Sequence, residues 1–169
     1  MKAKLIIEDK EIEVEISEEE YKKLQPSEEK KTGYERVPKR GDYFHESGKG
    51  DAESEIEDCY DIDNEYYESA NYYSDKTIAE NNARADKLMR QLRRFSVEHR
   101  ECGVDFNSTN TEKHYIYYDC IHDELRTVFT FYAKTFGTIL FDSEETAQAA
   151  IDEFRDELIW YFTEYKDSL

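Results

Sequence analysis

A chain of 169 residues with 41 Asp and Glu against 23 Lys and Arg carries a formal net charge of −18 at pH 7. That balance argues against direct binding to DNA, RNA or an anionic membrane surface, because gripping phosphate takes clustered Lys and Arg. Aromatic residues make up 14% of the chain, too many rings for a disordered polymer and enough for one sizeable core.

The N-terminus reads as a β-hairpin. "KLIIE" and "EIEVEI" are strand-like, the second alternating cleanly, and "DK" between them suits a turn. "SEEEYKKL" predicts a short helix, with Ser17 as its cap and Glu20 completing a capping box. "QPSEEKKTG" (25–33) has the composition of a linker. Residues 1–33 are therefore expected to form a hairpin–helix module. "MKAKLIIEDKEIEVEI" breaks its apolar run after three residues, so neither a leader nor a membrane span is expected.

From Tyr34 onward one pattern occurs twice. "GYERV", "DYFHE" and a stretch within 60–73 ending in "NYYS" are strand candidates. A long helix follows from about Asp75 to His99, its apolar stripe supplied by Ile78, Ala85, Leu88, Met89, Leu92 and Phe95. "KHYIYYD", "LRTVFTFYA" and "GTILF" then predict strands. A second helix runs from Ser143 to about Tyr165, with Ala147, Ala150, Ile151, Phe154, Leu158, Tyr161, Phe162 and Tyr165 on one face. At the joints, "YYSDKTIAE" (72–80) aligns with "LFDSEETAQ" (140–148). Ser74 and Asp142 are the expected caps, and Ala79 and Ala147 pack the first turns. The match reflects either an internal repeat or the common look of meander-then-helix junctions. The fold class is α+β: two tandem ββ(β)α units over 34–100 and 101–169, each helix covering one sheet face, forming one compact domain.

Few residues carry chemistry. "DCYDIDNEYYE" alternates Asp61, Asp63 and Glu65, but Tyr66 stands where a calcium loop needs glycine. His45, His99, His114 and His122 do not lie at metal-ligand spacings with each other or with Cys59, Cys102 and Cys120. "CIHDE" (120–124) reads as a hairpin turn. Three widely spaced cysteines without a CxxC fit free thiols in a reducing cytoplasm. "GKG" (48–50) is too short to cradle phosphate, and no hydrolase, P-loop or dinucleotide motif is present. The chain is expected to be non-enzymatic, with no cofactor and no metal.

The charge is distributed in blocks. Residues 51–75 hold no Lys or Arg and carry −10, residues 76–100 carry +4, and residues 101–169 carry −10. The first block contains Asp51, Glu53, Glu55, Glu57, Asp58, Asp61, Asp63, Glu65 and Glu68, interleaved with or beside Tyr60, Tyr66, Tyr67, Tyr72 and Tyr73. Its composition suits a surface for a basic partner: carboxylates stand in for phosphates, and the rings offer stacking area to arginine. Eighteen negative charges equal those of roughly nine base pairs of duplex. Arg84, Lys87, Arg90, Arg93 and Arg94 fall opposite the apolar stripe of the first long helix. They either pair internally with the preceding acidic stretch or contact RNA.

The acidic, Tyr-rich meanders and the junctions "NYYSDKTIAE" and "FDSEETAQAAIDEF", with the basic "LRRF" segment (92–95), resemble small proteins encoded by phages and prophages of Gram-positive bacteria. The resemblance covers about residues 65–165 and leaves the N-terminal module outside it. Some proteins of that kind are anti-CRISPR inhibitors, several of which block Cas9-type nucleases at the surface that reads the PAM duplex through arginines. The resemblance implies a bacterial cytoplasmic location and an anti-defence role. It transfers no individual inhibitory residue. The expected partner is a basic nucleic-acid-binding protein of the host, first a Cas9-type nuclease, met through a DNA-mimicking face. The competing expectations are protein docking without mimicry and RNA contact through the basic helix.

Overall fold

The computed structural model describes residues 2–7, 10–15, 17, 31–101 and 104–168. The chain divides into two compact units, residues 1–31 and 32–169. In the first, β1 (Lys2–Ile7) and β2 (Lys10–Glu15) pair antiparallel, from Lys2 opposite Glu15 to Ile7 opposite Lys10. The short helix expected after Ser17, with Glu20 in its box, and most of the expected linker lie outside the described residues.

The second unit is α+β, each long helix following a hairpin. Its elements run β3 (Asp42–Glu46), β4 (Ala52–Ile56), α1 (Asp61–Glu68), α2 (Lys76–His99), β5 (Lys113–Asp119), β6 (Glu124–Thr130) and α3 (Glu144–Thr163). The hairpins pair from Asp42 opposite Ile56 and from Lys113 opposite Thr130. No third strand forms in either half among the described residues. "GYERV" is irregular, and "NYYS" and "GTILF" each contribute one bridging residue: Tyr73 pairs with Phe44, and Phe141 with His114. In both bridges the two residues exchange N–H···O bonds of 2.8 and 2.9 Å. The strand expected within 60–73 is instead the helix α1. Two acidic residues in its first turn favour that outcome by meeting the positive helix end.

The two long helices begin one residue later than expected. Asp75 accepts from the Ile78 amide and Ser143 from the Thr146 amide, the N-cap bond that satisfies an otherwise unpaired first-turn donor. Ser74 and Asp142 do other work: the Ser74 hydroxyl donates to Glu35, and Asp142 accepts from the Glu101 amide. The alignment of the halves survives the shift. Tyr73 and Phe141 bridge, Asp75 and Ser143 cap, and Ala79 and Ala147 are both fully buried.

The main core lies where α2 and α3 pack on each other and on the second hairpin. Leu88, Leu92, Phe141, Ala147, Ala150, Ile151 and Leu158 are buried there, with Phe95, Ile116, Leu125 and Phe154 against them. A smaller cluster of Tyr73, Ile78 and Ala79 with Tyr34, Phe44 and Ala52 joins α2 to the first hairpin. Below the second hairpin, the buried Lys113 ammonium donates to the carbonyls of Ser108, Thr111 and Phe131 and so fastens the loop that leads into β5.

Leu88→Ala opens a cavity at the helix–helix contact and is expected to cost about 2–5 kcal/mol in urea unfolding, whereas the exposed Val97→Ala stays within about 0.5 kcal/mol.

Candidate functional site

The alternation of β3 decides which carboxylates reach solvent together. Tyr43 and His45 point to one face of the hairpin, opposite Glu55 and Glu53 of β4; Phe44, opposite Ser54, points the other way into the cluster with α2. Helix α1 covers the Tyr43–His45 face. The Tyr43 hydroxyl donates to Asp63 at 2.9 Å, the His45 ring stacks on Tyr66 at 4.1 Å, and Tyr43 stacks on Tyr72 at 4.1 Å. The inner side of α1 is therefore Asp63, Tyr66 and Tyr67.

At 100° per residue, Asp61, Glu65 and Glu68 then form the opposite stripe, pointing away from the hairpin. Glu53 and Glu55 rise from the same sheet face beside α1, whereas Asp51, just before β4, lines a cleft that also holds Arg84, Lys87 and Arg155. The five carboxylates on and beside α1 are exposed, and among the described residues none has a basic side chain within ion-pair distance. Tyr60, 66% exposed, and exposed Ile62 lie beside them, while Tyr67 packs edge-on against Tyr72 with the Arg36 guanidinium over its ring, and exposed Ile56 sits on the other face of β4.

The rest of the expected surface set is internal. Glu57 is 1% exposed: Arg36 grips it through Nε at 2.8 Å and Nη2 at 3.0 Å, and the Tyr72 hydroxyl and Cys59 amide complete its shell. Asp63, 3% exposed, accepts from the Tyr43 hydroxyl and from the amides of Asp58 and Tyr60. Tyr72 and Tyr73 are buried, and Asp58 and Tyr66 are half-buried. Glu57, Asp63, Tyr72 and Tyr73 thus leave the candidate contact set: the first three frame the loop 57–60, including Cys59 at φ 61, and Tyr73 packs with Tyr34 and Phe44. Arginine at Glu57 holds its carboxyl at about 2, and burial, with the Glu57 carboxylate beside it, pushes the Tyr72 hydroxyl up to about 12. The role of Arg36 and the exposure of Ile56 and Ile62 were not foreseen; a lone arginine in "GYERV" gave no signal for either.

The basic face of α2 does not neutralise this array. Arg84 forks onto Glu157 at 2.7 and 3.0 Å and lies over the Trp160 ring at 3.9 Å. Arg90 pairs with Glu46 and Arg94 with Glu98. All three partners lie outside residues 51–68, so the expected pairing with the preceding acidic stretch is replaced by pairing elsewhere. Lys87 packs beside Gly50 at the mouth of a cleft of about 960 Å³ that mixes Arg84, Lys87 and Arg155 with six carboxylates. Arg93 stands apart on the rim of an apolar groove.

"CIHDE" forms the turn of the second hairpin. It brings His122 to 2.8 Å from Asp119, with Glu124 close by, a grouping that sequence spacing did not suggest. Arg126 bonds to Glu124 and lies 3.5 Å from Asp119, so a cation already serves these carboxylates. Cys59 and Cys120 are exposed free thiols. No described helix is long and apolar enough to cross a membrane.

Comparison with protein-family models, with curated proteins and with solved structures finds no match.

The Glu57 clasp sets a pH dependence. Its folded-state pKa lies below the unfolded value, so its stabilisation is complete above about pH 5 and is lost as pH falls toward 2. Urea midpoints measured from pH 7 to pH 2.5 are expected to fall through that window. Glu57→Gln is expected to be less stable at pH 7 and to show a shallower decline.

Proposed function

We propose that this chain is a non-enzymatic inhibitor that presents the β4–α1 face to the cationic nucleic-acid groove of a partner protein and excludes the partner's own ligand. The single observation that supports this reading is a set of five exposed carboxylates (Glu53, Glu55, Asp61, Glu65 and Glu68) standing on one side of a hairpin and its covering helix without basic neighbours. Leaving them unpaired costs folding free energy through self-repulsion. A basic partner recovers it. The carboxylates are anchored to regular backbone, which keeps the ordering cost of association low.

Taken with the resemblance of residues 65–165 to phage and prophage proteins, the partner proposed first is a Cas9-type nuclease, and the step blocked is capture of the PAM duplex by paired arginines. The chain would then act as an anti-defence protein in the bacterial cytoplasm. Tyr60 supplies a ring on which a guanidinium group stacks, whereas the Tyr67 ring already carries Arg36. Exposed Ile56 and Ile62 favour a second reading, docking that relies on apolar contact rather than on charge. RNA contact through α2 is less favoured, because Arg84 and Arg90 are already engaged.

The two leading readings separate on salt and on competition. Binding to a guide-loaded Cas9-type nuclease is expected to weaken at least tenfold between about 50 and 200 mM salt and to be displaced by PAM-containing duplex. The combined Glu53→Lys, Glu55→Lys and Glu65→Lys variant, which keeps Glu57 and Asp63, is expected to lose binding while melting near the parent temperature. Salt-insensitive binding that duplex leaves intact would favour apolar docking; no binding at all would exclude this partner.

A further inference from the structure

Away from the anionic face, the α2–α3 side of the second half carries the opposite character. Two contiguous grooves of about 290 and 550 Å³ share residues 136–139, and no residue lining either is Asp or Glu. In a chain with 41 acidic residues among 169, that is a local exclusion of negative charge. The floor is core: Leu88, Leu92, Phe141 and Leu158. Phe136 stands fully exposed between the grooves, and Val97 and Phe162 are exposed along their walls. Monomeric proteins rarely leave such apolar surface contiguous and unused.

The cations here differ from their neighbours. Arg84, Arg90 and Arg94 on the same helix each have a carboxylate partner, but Arg93, on the groove rim, has none among the described residues. Lys134, on the same rim, is bonded to a neutral oxygen, Asn107 Oδ1. The connection between hairpin and bridge differs between the halves too. In the first half it folds as α1 and turns Tyr66 inward onto His45; in the second, residues 131–140 form no helix and hold Tyr132 and Phe136 outward.

We infer that this groove is a second docking surface, and that its occupant is an acidic amphipathic segment of a partner protein. Its apolar side chains fill the space beside Phe136, and its carboxylates meet Arg93 and Lys134. Apolar grooves with a charged rim receive peptide segments in this way, the floor giving affinity and the rim fixing polarity and direction. A second copy of the chain is disfavoured as occupant, because bringing together two molecules of −18 adds repulsion at every approach.

The test uses the full chain as bait for a displayed library of random linear peptides, with a Phe136→Asp chain as counter-bait. Phe136 is fully exposed, so the variant keeps its fold. Peptides retained by the parent and not by the variant are expected to combine Asp or Glu with large apolar residues at helical spacing. Synthesised and titrated by fluorescence anisotropy, they are expected to lose at least about tenfold in affinity to the Arg93→Glu, Lys134→Glu chain, while Arg93→Lys retains binding. Recovery of basic peptides, of peptides that bind all variants equally, or of no peptides overturns the inference. So does sedimentation showing that the parent chain self-associates and Phe136→Asp does not, which would make the occupant a second copy.

Discussion

Two carboxylates placed inside the first half decide where the others go. Burying an ionised carboxylate costs several kcal/mol unless its oxygens are met by donors. Glu57 and Asp63 are fully met: the first by Arg36, Tyr72 and the Cys59 amide, the second by Tyr43 and the amides of Asp58 and Tyr60. Between them they hold both ends of the loop 57–60, and that loop sets how α1 lies on the hairpin. The outward direction of Asp61, Glu65 and Glu68 follows from this clasp. Without it the same residues would be a tract of solvated charge with no fixed spacing.

The second organising feature is the separation of charge over one small body. The basic side chains of α2 are drawn toward Glu46, Glu98 and Glu157, so the acidic face beside α1 is left without internal compensation. On the α2–α3 side, carboxylates are missing from a groove whose rim holds Arg93 and Lys134. Surfaces that serve solubility alone mix the signs. Here segregation falls in two places and in two senses.

Periodicity made much of the fold legible. The apolar stripes of α2 and α3, the alternation of β2, and the joints at 72–80 and 140–148 all come from spacing rules that act locally. The third strands did not form, because one residue at each joint, Tyr73 or Phe141, makes the bridge and the N-cap follows two residues later. α1 was misread because its hydrophobic content is one isoleucine and two tyrosines, which suit a strand as readily as a helix, and because the alternation of Asp61, Asp63 and Glu65 imitates a two-residue period. Its helical state depends on Tyr43 and His45, contacts across about twenty residues that no local pattern records. The composition of the acidic face was half visible: the acidic block is plain in the sequence, but which members turn inward depends on Arg36 and Tyr72, whose nearness to Glu57 is a property of the folded chain.

Lys113 gives the second half a different kind of anchor. Its ammonium is held by three peptide oxygens, which take up no proton in the acid range that discharges Glu57. Falling pH therefore discharges the clasp beneath α1 and leaves the three carbonyl contacts of Lys113 in place.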